Sequence, residues 1–183
     1  LLAETADLLH AILPSVPLPA IGHSLALSLA ALEPPALALA SHLAWLDDAP
    51  IPLPLIEVLE AQGIPRTART TLRMRGWIMP ASEESYGKIH PFLADFLRSL
   101  PTSRESLLPL AQCLRRMQQE HDCGLASTIG LLLALAPHVL RVARHPSLPI
   151  RLQLELLGEV AFLQETLWQR QPTLALRREI WQR

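Results

Sequence analysis

The chain of 183 residues is half apolar, carries a formal net charge of −1 and contains two cysteines. That charge excludes a global basic field that would draw in nucleic acid or an anionic membrane. Two cysteines, Cys113 and Cys123, are too few for a disulfide framework and favour a reducing, cytoplasmic setting.

Leu and Ala supply most of the apolar share, and aromatic residues reach only 4%. Leu and Ala favour helices, whereas β-branched and aromatic residues favour strands. The expected fold class is therefore mainly α. Seventeen prolines forbid long uninterrupted helices and mark helix starts and corners. The longest apolar stretch, Leu125–Pro137, is too short to span a bilayer and carries Ser127 and Thr128. No basic start followed by an apolar run marks a signal peptide. The first residue is not Met, and the chain reads as a segment of a longer protein.

In chain order, Leu1–Leu13 is expected to be a helix, with Leu1, Leu2, Leu8, Leu9, Ile12 and Leu13 largely on one face. Pro14, Pro17 and Pro19 then force an extended connector. A second helix is expected over Ser24–Leu32. Glu33–Pro34–Pro35 breaks the chain, and Pro35 suits the first turn of a helix over Ala36–Leu46. Asp47–Asp48–Ala49–Pro50 opens a loop.

Pro52–Ala61 reads as a short helix that buries Leu55, Ile56, Val58 and Leu59 and stops at Gly63. Arg66–Arg75 is the next helix, stopped by Gly76. Trp77–Pro80 and Tyr86–Ile89 are short and β-biased, and they flank Ala81–Glu84 as a hairpin would. A helix over His90–Leu100 follows at once. The order helix, helix, hairpin, helix is that of a winged helix.

Beyond Pro101, the expected boundary between two subdomains, everything reads as helical. Ser103–Glu120 has Ser103 as its capping candidate, with Ser106 a turn later. Gly124–Arg144 is long and apolar, with Gly130 and Pro137 as kink candidates. Leu148–Gln164 and Pro172–Arg183 read as an antiparallel pair. The expected architecture is a winged-helix unit with a small β-hairpin, followed by an α-helical arm of antiparallel pairs.

Several segments together resemble one family. They are Leu25–Leu29 with Leu32, Leu43–Ala44–Trp45–Leu46, Ala49–Pro50–Ile51–Pro52, Leu72–Arg73–Met74–Arg75–Gly76–Trp77–Ile78, and Tyr86–Gly87–Lys88–Ile89–His90–Pro91–Phe92–Leu93–Ala94–Asp95–Phe96. In order and spacing they resemble the winged-helix region of bacterial STAND-type (NB-ARC-like) signalling NTPases. The last resembles that family's Met-His-Asp motif, with Ile89 for Met and Pro91 for Asp. Ile89 keeps the apolar volume, whereas Pro91 suits a first helical position and supplies no carboxylate.

The resemblance covers roughly residues 24–100 and implies three parts. Residues 1–48 would be the helical tail of the nucleotide-binding module. Residues 49–100 would be the winged helix. Residues 101–183 would be a helical linker and the start of tetratricopeptide-like repeats, where Leu157–Gly158 and Ala175 carry a weaker match. The resemblance further implies that His90 contacts the β-phosphate of ADP and holds a closed resting state.

No G-x-x-x-x-G-K-[ST] occurs in the chain. It is therefore expected to be non-catalytic and to hold no cofactor by itself, with ADP or ATP and Mg bound by the parent protein. The implied partners are an upstream P-loop domain of the same chain, further copies through self-oligomerisation, and proteins that engage the arm. No membrane partner is implied.

His90 has a reason to meet phosphate apart from any family. It stands at an expected helix N-terminus, where N–H groups and the helix dipole favour anions, and an imidazole can donate a hydrogen bond. The plain alternative is packing at a strand–helix corner. Arg66, Arg69 and Arg73 lie near one helical face, with Arg75 close by. They could form a recognition helix, a solvated face or a contact with another domain. The near-zero net charge and Glu83–Glu84 in the expected wing disfavour nucleic acid. A DNA-binding winged-helix regulator is the alternative function, and a helical protein-interaction scaffold a third.

Cys113, His121, Cys123 and His138 match no metal-ligand spacing, so buried thiols and surface histidines are expected. Asp47–Asp48 and Glu83–Glu84 read as solvated loop charges rather than an acid–base pair. Ser24 and Ser28 lack a nucleophile-elbow motif and a base, and His23 and His42 read as packing or surface residues. The apolar stripe of Leu125–Leu140 reads as core or as a face for a following repeat, with Trp168 and Trp181 as candidates for that contact.

Overall fold

The computed structural model describes residues 27–81, 85–121, 126–167 and 170–183. The expected helix over Leu1–Leu13 and the start of that over Ser24–Leu32 lie outside these residues, as do His23, Ser24, Glu83, Glu84, Cys123, Gly124 and Trp168. After a helical turn at 27–30, the elements are α1 (Pro34–Leu43), β1 (Ile51–Pro52), α2 (Leu53–Ala61), α3 (Arg66–Met74), β2 (Ile78–Met79), β3 (Ser85–Ile89) and α4 (Pro91–Ser99). Then come α5 (Pro101–Glu120), α6 (Ala126–Ala143), α7 (Ile150–Thr166) and α8 (Arg170–Gln182). The chain is mainly helical with one small antiparallel sheet, as its composition requires.

Proline sets most helix starts. Pro34, Pro91 and Pro101 are the first residues of α1, α4 and α5, and Pro52, Pro65 and Pro149 occupy the N-cap positions of α2, α3 and α7. A proline there gives up no helical hydrogen bond, because the first N–H groups lack intrahelical partners. Side-chain caps are correspondingly scarce: α1, α2, α3, α5 and α7 have none. Ser103 does not cap α5 as expected. Leu100 holds the N-cap position, and Ser103 is buried one turn inside. Pro109 and Pro137 lie within α5 and α6.

The sheet has the order β1-β3-β2. The β2–β3 pairing, Ile78 with Ile89 and Met79 with Lys88, is the hairpin expected from sequence. The third strand is an addition: Ile51 pairs with Gly87 and Pro52 with Ser85. Its proline is tolerated because β1 is an edge strand. Gly87 is required where β3 passes β2. Its φ is +117°, and a Cβ there would lie 2.4 Å from Met79 O and 2.7 Å from Ile78 Cγ2.

One apolar cluster runs from Leu32 to Leu176 and does not break at Pro101. Helix α1 packs on α3, α4 and α5, while α5 also meets α2, α6 and α7. Helix α6 reaches β1, and α7 packs on α6 and α8. Within the cluster Leu39, Leu43, Leu55, Leu59, Leu72, Leu110 and Leu114 are fully buried, each worth about 1.5–3 kcal/mol of burial.

Gly87→Ala should lower stability by about 1–3 kcal/mol from backbone conformation alone, with the clash on Met79 O adding to it. Urea unfolding measures the loss, and a variant as stable as the parent would contradict the Gly87 geometry.

Candidate functional site

His90 sits where β3 turns into α4. Its N–H donates to Trp77 O at 3.3 Å, which ties the turn to the residue before β2. It is also the N-cap of α4, its Nδ1 accepting from Phe92 N–H at 3.3 Å. An Nδ1 that accepts is unprotonated, so in the neutral ring the proton lies on Nε2. The residue is exposed.

The helix end is therefore more occupied than the sequence implied. Pro91 has no N–H, Phe92 N–H goes to His90 itself, and Ala94 N–H goes to His90 O.

The arginines of α3 are engaged within the chain. Arg66 Nε lies 3.5 Å from Glu60 Oε2 and Arg69 Nε 3.4 Å from Glu60 Oε1. Glu60 Oε1 nonetheless accepts no hydrogen bond, so its contact with Arg69 is Coulombic and poorly aligned. Arg73 Nη2 donates to Tyr86 O at 2.8 Å, and its guanidinium lies 4.9 Å from the Tyr86 ring centroid. Tyr86 is fully buried and donates its hydroxyl to Arg69 O at 2.8 Å. Burial holds that hydroxyl well above the ordinary tyrosine pKa, so it remains a neutral donor. Arg69 and Arg73 thus flank the clamp of α3 on β3. No hydrogen bond or ion pair among the described residues joins these arginines to His90.

His138 is not the surface residue expected from sequence. It is fully buried in α6. Its Nδ1 accepts from Asp47 N–H at 3.1 Å, and its Nε2 donates to Pro50 O at 3.2 Å. Both ring nitrogens are used and the neutral tautomer is set. Burial lowers its pKa, against smaller opposing effects of the Pro50 hydrogen bond and the Asp47 charge. A lone histidine in an apolar run gives no sign of this pairing, because both partners lie about ninety residues earlier.

Trp45 is the second residue whose role the sequence did not reveal. Its Nε1 donates to Ser103 O at 2.8 Å and lies 3.2 Å from Ser106 Oγ. The indole meets His145 edge-on, with ring centroids 4.8 Å apart. Burial pushes the Cys113 thiol up to about 11, so it is not a ready thiolate. No cluster of three His, Cys, Asp or Glu able to hold a metal exists among the described residues. No protein-family model, curated protein or solved structure matches this chain.

Tyr86→Phe should cost about 1 kcal/mol through the lost bond to Arg69 O, and Arg73→Ala should also lower the melting temperature. An Arg73→Ala variant of unchanged stability would mean that this arginine does not clamp the sheet.

The histidines set a pH dependence. His42, His138 and His145 all have pKa values lowered chiefly by burial. The unfolded chain then binds more protons than the folded one below the ordinary imidazole value of about 6.5. Stability is full above that value and falls as pH drops through it toward the folded-state pKa values. His138→Leu should strand Asp47 N–H and Pro50 O at roughly 1–3 kcal/mol each and flatten the loss of stability between about pH 7.5 and pH 5.5. Urea titrations at the two pH values measure this, and an unchanged slope would remove His138 from the effect.

Proposed function

We propose that this chain is a regulatory, non-catalytic segment of a cytoplasmic STAND-type switch driven by ATP and ADP. In this reading residues 49–100 are a winged helix that closes over ADP, and residues 101–183 are an arm that relays the state to a sensor. The observation that carries the reading is His90, an exposed imidazole at the β3–α4 junction with Nδ1 spent on its own helix and Nε2–H left to donate. The nucleotide would be held mainly by an upstream P-loop domain, and His90 would supply one hydrogen bond to a phosphate oxygen.

The engagement of Arg69 and Arg73 with Glu60 and Tyr86 favours this reading over DNA recognition, which needs such side chains directed at base edges. No helix among the described residues is long and apolar enough to cross a membrane.

The device needs two states and a ligand that prefers one of them, since a ligand shifts an equilibrium only by its differential affinity. His90 gives ADP that preference if the phosphate reaches it only in the closed form. Contacts from α4, α5 and α6 to the segment 44–50 support transmission from the winged helix into the arm.

In the full-length parent, His90→Ala should weaken ADP binding and raise resting activity, whereas His90→Gln, which keeps a donor, should restore part of both. Titration with ADP and a resting-output assay measure these effects. Unchanged ADP affinity together with unchanged resting activity in His90→Ala would overturn the proposal.

A further inference from the structure

A groove of about 1100 Å³ opens between the C-terminal half of α6, the N-terminus of α5 and the end of α7. Its apolar walls include Leu107, Ala136, Leu140 and Leu163, together with Leu133, which is 42% exposed. Among the described residues four guanidiniums line it, from Arg98, Arg104, Arg141 and Arg144, against one carboxylate, Asp47.

The four arginines are not equivalent. Arg98 is committed to Ala44 O and Asp95, and Arg144 to Glu179. Arg104 and Arg141 are exposed and have no ion pair among the described residues. His145 stands beside them in the lining, its Nδ1 accepting from Ser147 N–H at 3.2 Å. In the neutral ring its proton therefore lies on Nε2. Gln164, also in the lining, has a carbonyl oxygen with no hydrogen-bond partner among the described residues.

We propose that this groove binds a small amphiphilic anion, an oxyanion head held by Arg104 and Arg141 with an apolar body lying over Leu133 and Leu140. Guanidinium forks match carboxylate and phosphate geometry. An apolar cavity with a few convergent polar groups is the usual form of a small-molecule site. A single-stranded nucleic acid would ask instead for a track of cations and open stacking rings. Here the one indole in the lining, Trp45, is 6% exposed and set edge-on to His145. The site does not include His90 and stands independently of the nucleotide reading.

Calorimetric titration of the 183-residue chain with octyl phosphate and octanoate, both below their micelle concentrations, tests the proposal beside inorganic phosphate and octanol. At least one of the two amphiphiles should bind about tenfold or more tightly than either phosphate or octanol, and which one binds identifies the head. The double variant R104Q/R141Q should lose about tenfold in that affinity with an unchanged circular dichroism spectrum, because both side chains are exposed and unpaired. Leu133→Ser should weaken the amphiphile without changing the response to phosphate. His90→Ala should leave all these titrations unchanged, so this proposal and the ADP proposal fail separately. Equal binding of phosphate and octyl phosphate, or unchanged affinity in R104Q/R141Q, would overturn the proposal. So would arginine-dependent sedimentation with phosphatidylglycerol vesicles in place of monomer binding.

Discussion

The connector between α1 and β1 is the constraint on which the arrangement of this chain depends. Residues 44–50 leave a helix, pass two acids and a proline, and enter an edge strand. Ala44, Trp45 and Leu46 N–H still bond back to Ala40, His42 and Leu43 O, but Ala44 O, Asp47 N–H and Pro50 O need partners from elsewhere. Ala44 and Trp45 are buried, and a buried backbone group without a partner costs as much as a lost hydrogen bond. Two helices supply the partners. Arg98 of α4 donates to Ala44 O, and His138 of α6 serves Asp47 N–H and Pro50 O. The Trp45 indole of the connector in turn donates to Ser103 O of α5. The connector is thereby the point where α4, α5 and α6 acquire fixed positions relative to the sheet.

This explains what the sequence disclosed. Its local signals were strong: Pro52 and Pro91 mark helix starts, Gly63 and Gly76 mark stops with positive φ, and Ile78 and Ile89 mark the paired strands. All of these act within a few residues. The strand at Ile51–Pro52 was not legible, because a two-residue strand has no periodicity and exists only through its pairing with β3. His138 and Trp45 were illegible for a related reason. Their partners lie in other elements, and an apolar run around a histidine looks the same whether the ring is buried or exposed.

The candidate site was legible in position and less so in chemistry. His90 stands at the strand–helix junction as its neighbours indicate, yet Pro91 and the imidazole itself take up much of the helix end's capacity for anions. The arginine row of α3 suggested an outward-facing surface. Three of its members lie against Glu60 or Tyr86 instead, a use that charge counting along one helix cannot reveal. The cationic groove at α6 escaped the sequence for the same cause, since Arg104 and Arg141 are far apart in the chain and line one groove only when α5 packs on α6.

The unbroken apolar cluster across Pro101 has a consequence for how this chain can be divided. Helix α5 begins at that proline but buries Leu110, Ala111 and Leu114 in a cluster shared with Leu39, Leu43 and Leu55. A cut there would expose apolar surface on both halves at once. A swap of residues 101–183 alone would therefore have to rebuild the contacts of α5 with α1.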